Sequence, residues 1–235
     1  MQAARLLLPM ESQLDTVLTA LPYLLAGTVN TALIVIAAMA IGLCIGVPAA
    51  AGLVYGPQGL RRALSAYLWF FRGVPVLTLL FLFYFGLFPL LHLQIPALAA
   101  VAVVLGLTTG AYQANIFRGA ILSLPRGQFR AASALGMSNQ AVIRSIILPQ
   151  ALRLAIPAWS NEYSIILKDS ALAFVIGAPE IMARTQFVAS RTYQHLPLYL
   201  AAGLLYFLLT WVGVAALRRL ERRVRIPGYS GEARP

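Results

Sequence analysis

Five stretches of this chain are long and apolar enough to cross a lipid bilayer as helices. They cover residues 26–54, 66–87, 96–117, 152–172 and 198–217. A helix crosses the hydrocarbon in about 20 residues, and a chain in lipid has to satisfy its own backbone hydrogen bonds. The composition agrees, since 60% of the residues are hydrophobic and 11% are charged, against about 45–50% and about 25% in soluble domains. We predict an all-α membrane protein with about five transmembrane helices.

The five stretches follow one another without a long linker, a low-complexity segment or a visible repeat. We therefore predict a single transmembrane domain over residues 1–235, with its core at about 24–220. The N-terminal residues have too short an apolar core for a signal peptide, so the first stretch is expected to be kept as a span. One cysteine, Cys44, and two scattered histidines suggest neither a disulfide nor a metal site. The sequence shows no pairing of a nucleophile with a base, so it does not suggest an intramembrane enzyme.

The basic residues predict the direction of the helices. The net charge is +11, and these residues lie at the ends of apolar stretches instead of being interleaved with polar and aromatic residues, so no nucleic acid partner is expected. Three regions on one side of a five-span protein hold twelve of the 18 basic residues: Arg61, Arg62, Arg118, Arg126, Arg130, Arg144, Arg153, Arg218, Arg219, Arg222, Arg223 and Arg225. The positive-inside rule makes this side cytoplasmic, with the N-terminus outside and the C-terminus inside. Arg5, Lys168, Arg184 and Arg191 fall on the outer side.

Two segments depart from simple spanning helices. In the second stretch, Gly73 and Pro75 are expected to loosen or kink the helix, because proline removes a backbone donor. The neighbouring Arg72 is expected to reach the cytoplasmic headgroups. Residues 174–191 are too polar to span easily, and they predict a short helix that lies at the outer surface or dips back into the membrane.

A polar, helix-prone segment separates the third and fourth apolar stretches: residues 130–149, RAASALGMSNQAVIRSIILP. Good helix formers predict a short helix over residues 128–135, which Gly136 can end in the left-handed conformation. Ser138 is a candidate N-cap for a second helix, and Pro149 can start or kink the span that follows. The pattern predicts a helix–turn–helix at the cytoplasmic surface. By itself it also fits an amphipathic helix lying at the membrane interface.

The spacing of Ala131-Ala132, Gly136 and Ile146-x-Leu148-Pro149 resembles the signature loop of the permease subunits of bacterial ATP-binding-cassette importers. In that family the loop forms a coupling helix that docks into a groove on the ATP-hydrolysing subunit. The resemblance implies a contact with the ATPase through the following residues: Arg130, Ala131, Ala132, Leu135, Gly136, Met137 and Ser138. The family usually has glutamate where this chain has Arg130, so the contact at this position has to differ.

Four more segments resemble the polar amino acid branch of that family, the permeases similar to histidine, glutamine and arginine importers. These segments are LAGTVNTALIV in the first stretch, FRGVP with LFLFYFGL at 70–87, AYQANIFRGAI at 111–121 and NEYSIILKDSAL at 161–172. The resemblance covers about residues 24–220. The family usually has glutamate where this chain has Asn115, so a polar group remains there without its charge.

Two carboxylates, Glu162 and Asp169, lie in the fourth apolar stretch. They are seven residues apart, which places them about 20° from the same helix face. A carboxylate in the bilayer costs on the order of 2.5–3.5 kcal/mol and needs a water-filled path, a partner or a ligand. We interpret both, with Asn161 and Asn115, as groups that contact an amino acid in the translocation path. Alternatively, Asp169 lies at the outer interface beside Lys168, and Glu162 pairs with an arginine of a neighbouring helix.

The chain carries no obvious means of using ATP itself. A phosphate-binding loop needs Gly-Lys-Ser/Thr, and the one lysine, Lys168, follows a leucine. We therefore expect no cofactor on this chain, with ATP and Mg²⁺ used by a separate ATPase subunit. Five spans are too few to enclose a polar path comfortably. The expected partners are a second permease chain, identical or closely related, the ATPase, an external amino acid binding protein and the lipid of a bacterial inner membrane.

The alternative function is an ion-coupled secondary transporter or channel for small polar solutes. Such a protein would show paired broken helices in two inverted halves. The five-span count and the signature-like loop favour the ATP-driven importer.

Overall fold

The computed structural model describes residues 10–224, with side chains from Gln13 onward, and within this range the chain forms helices and no strands. Arg5, Arg225 and Arg234, and the N-terminal residues considered as a signal peptide, lie outside the described residues. The α-helices are α1 Met10–Tyr55, α2 Gln58–Gly73, α3 Val76–Phe81, α4 Phe88–Leu90, α5 Ala97–Ser123, α6 Arg126–Ala134, α7 Asn139–Val142, α8 Leu148–Asp169, α9 Ile181–Thr192 and α10 His195–Val224.

The first helix begins much earlier than its apolar pattern predicts. We expected a span from residue 26, whereas α1 begins at Met10. Its early turns are not uniformly apolar, but Ala20 and Leu24 pack against Ala189 of α9 and Leu198 of α10. Hydropathy marks the part of a helix that suits lipid, and packing against neighbouring helices extends it further. The predicted start of the first helix is therefore wrong.

The second apolar stretch is broken into two helices rather than gently kinked. The segment Gln58–Gly73 meets the segment Val76–Leu90 at 106°. Val74, between them, has an extended backbone, because the ring of the following Pro75 disfavours helical geometry at the residue before it. Beyond the break, Leu82–Leu87 forms a π-helical segment. The guanidinium carbon of Arg72 lies 5.3 Å from the centre of the Tyr112 ring.

Within the described residues, four helices are long and apolar enough to span a membrane by themselves, and the bent pair brings the number to five when it is counted as one span. The predicted fold class, an all-α membrane protein with about five spans, is confirmed. The fourth span is longer than predicted, since the chain stays helical over Asn139–Ile176. A π-helical segment, Ile143–Ile147, precedes α8, and a 3₁₀ segment, Ser170–Ile176, follows it.

Helix α5 is the centre of the bundle, and glycines bring its backbone close to α1. A Cβ atom at Gly106 of α5 would lie 2.7 Å from the Cβ of Ile41, and one at Gly46 of α1 would lie 2.8 Å from the Cβ of Gln113. Small residues four apart on both helices, at positions 42 and 46 and at 106 and 110, permit this approach. The contact positions the polar residues of α5 beside α1.

After the fourth span the chain turns sharply at Gly177, whose φ is +82°, and then forms α9. The predicted short helix within residues 174–191 is confirmed. Helix α10 packs against α8, where the hydroxyl of Tyr163 donates to the carbonyl of Leu209 at 3.0 Å and the ring of Tyr163 fits against Gly213.

Candidate translocation and coupling sites

Glu162 is buried in the middle of the bundle, with 3% of its surface exposed. The hydroxyl of Thr109 in α5 donates to its Oε1 at 2.7 Å. The partner of Glu162 is this hydroxyl, and not the arginine of a neighbouring helix that the alternative interpretation predicts. Because a buried carboxylate needs a donor, this bond determines how α8 faces α5.

Gln113 extends this contact into a network across three helices. Its Nε2 donates to Thr109 Oγ1 at 3.2 Å and to the carbonyl of Met39 in α1 at 3.3 Å. Its Oε1 accepts from Trp159 Nε1 of α8 at 2.9 Å. Gln113 and Thr109 are fully buried. A satisfied polar network of this kind fixes one relative arrangement of the helices around it.

Sequence reasoning missed Thr109, Gln113 and Trp159. The signal was present, since Thr109 and Gln113 are polar residues four apart within an apolar span and therefore share a helix face. The family resemblance singled out Asn115 on the same helix. It lies two residues, or about 200°, around α5 from Gln113, and it is half-buried. The structure therefore links Gln113, through Thr109, to Glu162.

Asn161 lies on the other side of α8 and is exposed. It lines a pocket of about 300 Å³ between α8 and α10, whose polar residues are Ser160, Asn161, Ser164, Arg218 and Glu221. Asp169 is half-buried at the end of α8, beside the exposed Lys168. The four predicted substrate-binding residues thus do not form one cluster. Glu162 faces the core, and Asn161 faces outward.

Glu180, at the start of α9, is a second buried carboxylate and lies outside the spanning segments. Its Oε1 accepts from the backbone N–H of Ala183 at 2.7 Å, which caps the helix, and its Oε2 accepts from the hydroxyl of Tyr206 in α10. Burial raises the pKa of Glu180, while hydrogen bonds from Tyr206 and from the backbone of Met182 and Ala183 oppose the rise. The side chain joins α9 to α10.

The same turn is also attached to α1. Asn30 Nδ2 donates to the carbonyl of Pro179 at 2.7 Å. Arg184 donates to the carbonyl of Tyr23 at 3.2 Å and lies 4.5 Å from the centre of that residue's ring. At Gly27 there is no room for a side chain, since a Cβ would lie 2.9 Å from the backbone nitrogen of Ile181. Helix α9 is therefore built into the bundle.

Helices α6 and α7 form the predicted helix–turn–helix. Gly136 has a φ of +83°, and the N–H groups of Gly136 and Met137 donate to the carbonyls of Ser133 and Ala132 at 3.0 and 3.2 Å. These two bonds define a Schellman motif. Ser138 Oγ accepts from the N–H of Ala141 at 3.3 Å and caps α7. The predicted roles of Gly136 in the turn and of Ser138 as an N-cap are confirmed.

Helix α6 is held against the bundle along one face. Ala132 is buried among residues such as Ile121 and Ile147. The amides of Gln128 and Gln150 donate to each other at 3.1 and 2.9 Å. The predicted coupling residues therefore fall into two groups by their exposure. Ala132 is buried and Met137 is half-buried, whereas the others are exposed: Arg130, Ala131, Leu135, Gly136 and Ser138.

A bundle of apolar helices with a buried polar network, a polar pocket and a projecting helix–turn–helix defines an integral-membrane transport subunit. Residues 42–226 match the family described as the binding-protein-dependent transport system inner membrane component. The chain belongs to this family.

Similar proteins are permeases of amino acid transport systems. The octopine transport system permease protein OccQ of Rhizobium meliloti is 36% identical over 211 residues, which are 85% of this chain and 89% of that protein. The histidine/lysine/arginine/ornithine transport system permease protein HisM of Salmonella typhimurium is 34% identical over 210 residues, which are 86% and 89% of the two chains. The crystal structure of an amino acid ABC transporter with histidines is similar with a TM-score of 0.79 at 30% identity, covering 88% of this chain and 96% of that one.

These findings confirm the predicted membership of the ATP-binding-cassette importer permeases and of their amino acid branch. The chain is a transport subunit of the bacterial inner membrane, and nucleotide use belongs to a separate ATPase subunit of such importers. The family favours the ATP-driven importer over an ion-coupled secondary transporter or channel.

Proposed function

We propose that this chain forms half of the translocation path of an ATP-driven amino acid importer, and that the polar outward face of α8 lines this path. The observation that carries the proposal is the exposed Asn161, with Ser160 and Ser164 beside it, in a helix long and apolar enough to span the membrane. Lipid does not satisfy an exposed amide such as that of Asn161, so this side chain faces water or another chain. A second permease chain, identical or closely related, would complete the path from the other side.

The substrate is proposed to be an amino acid, as in the similar permeases. Asn161 would contact it directly from the exposed face of α8. Glu162 and Asp169 would supply negative charge that attracts its ammonium group, with Glu162 held in place from behind by Thr109. Asn115 is not part of the proposed site, because it lies about 120° around α5 from Thr109, which contacts Glu162.

Coupling to the ATPase is proposed to occur through the exposed part of the α6–α7 turn, around Leu135 and Gly136. The ATPase would bind ATP and Mg²⁺, and its closure would switch the path from inward- to outward-facing. An external binding protein would deliver the amino acid. The arginine distribution supports an external N-terminus and a cytoplasmic C-terminus, with α6 at the cytoplasmic surface.

Reconstitution of the permease with its ATPase and binding protein in nanodiscs tests the proposal. Amino acid-loaded binding protein should stimulate ATP hydrolysis in the wild type. In proteoliposomes, Asn161→Ala should lower amino acid uptake by about tenfold, since a polar contact in the path is lost. The matched control is Gln94→Ala, an exposed amide in the segment before α5. Equal uptake by Asn161→Ala and the wild type would remove α8 from the path.

A further inference from the structure

The two faces of α6 differ sharply in what they contact. Gln128 and Ala132 are four residues apart and face the bundle, where they contact Gln150 and a cluster of buried residues. Arg126 and Arg130 are also four residues apart and exposed. Each arginine is two residues, or about 200°, around the helix from a bundle-facing residue. Both arginines therefore point away from the bundle.

Helix α6 lies across the end of the bundle and not along its side. Its neighbours are the last turn of α1, where Tyr55 stacks on Phe129 with ring centres 5.7 Å apart, the last turns of α5 around Ile121, and the segment around Ile147 that leads into α8. Lipid headgroups surround the sides of a bundle. The arginine face of α6 looks beyond its end, where a soluble partner approaches.

An apolar side chain stands at the end of this basic face. Leu135 is 84% exposed, and the Schellman turn that follows it holds it in place. Arginine is enriched at the centres of protein–protein interfaces, and the large exposed side chain of Leu135 gives a partner apolar area to bury beside the two arginines.

The segment around α6 cannot neutralise its own charge. Residues 118–161 contain five arginines and no aspartate or glutamate. A partner that covers Arg126 and Arg130 has to supply acidic groups, since burying an unpaired guanidinium is costly.

We infer that Arg126, Arg130 and Leu135 form a docking surface for an apolar pocket with an acidic rim on the ATPase subunit. This inference rests on the proposed coupling function and adds the charge of the partner surface to it. The two arginines attract and select an ATPase whose groove is acidic, and Leu135 anchors the complex. Charge complementarity of this kind affects partner choice and association rate more than it affects affinity.

Binding of the purified ATPase subunit to the permease in phosphatidylcholine nanodiscs tests this inference. The Kd is measured by biolayer interferometry over about 0.05 to 0.5 M salt, where screening of exposed charges changes strongly. The double variant Arg126→Glu/Arg130→Glu should bind at least about tenfold more weakly at low salt, and its Kd should no longer rise as salt is added, because salt then screens a repulsion. The matched control is Arg222→Glu, an exposed arginine of α10, which should keep the wild-type Kd.

A second variant separates the contribution of the arginine charges from the docking role of the surface. Leu135→Asp should abolish binding at every salt concentration. If Leu135→Asp binds as the wild type does, the proposed coupling function fails together with the inference. If Leu135→Asp does not bind the ATPase but the double arginine variant keeps the wild-type Kd and salt dependence, the inference alone is overturned. An effect of the arginines that appears only in nanodiscs with phosphatidylglycerol also overturns it, because the arginines then bind lipid. Size-exclusion profiles confirm that each variant is folded.

Discussion

Two short helices contact α1 toward its opposite ends, and they are attached in different ways. Helix α9 is fixed by the fully buried carboxylate of Glu180, which joins its own cap to Tyr206 of α10. Helix α6 is held by a pair of neutral amides, an aromatic stack and one buried alanine. Charge-assisted hydrogen bonds are about twice as strong as neutral ones. Helix α9 is therefore part of the bundle, whereas α6 keeps a large exposed face for a partner.

The largest effect is expected at Glu180. Glu180→Ala removes a helix cap and takes the carboxylate acceptor from the half-buried Tyr206, so the free energy of unfolding should fall by about 3 kcal/mol. Thermal unfolding in detergent measures this, with the exposed Asp15→Ala as the control. An unchanged unfolding midpoint would mean that α9 is no more firmly attached than α6.

The same residue makes stability depend on pH. Burial raises the pKa of Glu180 above its ordinary value of 4.5, so folding favours the protonated carboxyl. The resulting stabilisation is full below pH 4.5 and is lost as the pH rises through the folded-state pKa. Because the side chain of Glu180→Gln does not titrate, the unfolding midpoint of this variant should fall less than that of the wild type as the pH rises through the folded-state pKa of Glu180. Parallel curves for the two proteins would contradict the raised pKa.

A smaller cost in stability, with a complete loss of transport, is expected at Gly136. A side chain at its φ of +83° costs about 1–2 kcal/mol, and Gly136→Trp also obstructs the exposed turn. Uptake into vesicles should be abolished while the protein remains in the membrane fraction. Gly59→Trp is the control, because a Cβ at Gly59, in α2, would meet no atom of a neighbouring element within 4 Å. Normal uptake by Gly136→Trp would show that the turn does not contact the ATPase.

The smallest effect on stability is expected for the amide pair that holds α6. Gln128→Ala and Gln150→Ala should each lower the free energy of unfolding by about 1 kcal/mol, and the double variant should add little to either. If α6 transmits force through this pair, stimulation of ATP hydrolysis by loaded binding protein should fall in all three variants while basal hydrolysis persists. Additive losses of stability would show that the two amides act separately.

The parts of the fold that could be predicted from sequence are those that depend on local chemistry. Apolar length predicts the spans, and the glycine and serine of the α6–α7 turn predict its geometry. The early start of α1 could not be predicted, because it depends on packing against α9. The place of Gln113 in the buried network could not be predicted for a related reason. Family resemblance pointed to one side chain, whereas the close approach of α1 through its glycines decides which side chain is buried.

The glycine contact between α1 and α5 also restricts how the protein can move. Where two backbones touch without intervening side chains, sliding one helix along the other drives Ile41 or Gln113 into the opposing main chain. These two helices consequently travel as a single rigid body. Any rearrangement that opens or closes a passage has to take place on the other side of the molecule, where α8 and α10 present surfaces that the rest of the described chain leaves largely uncovered.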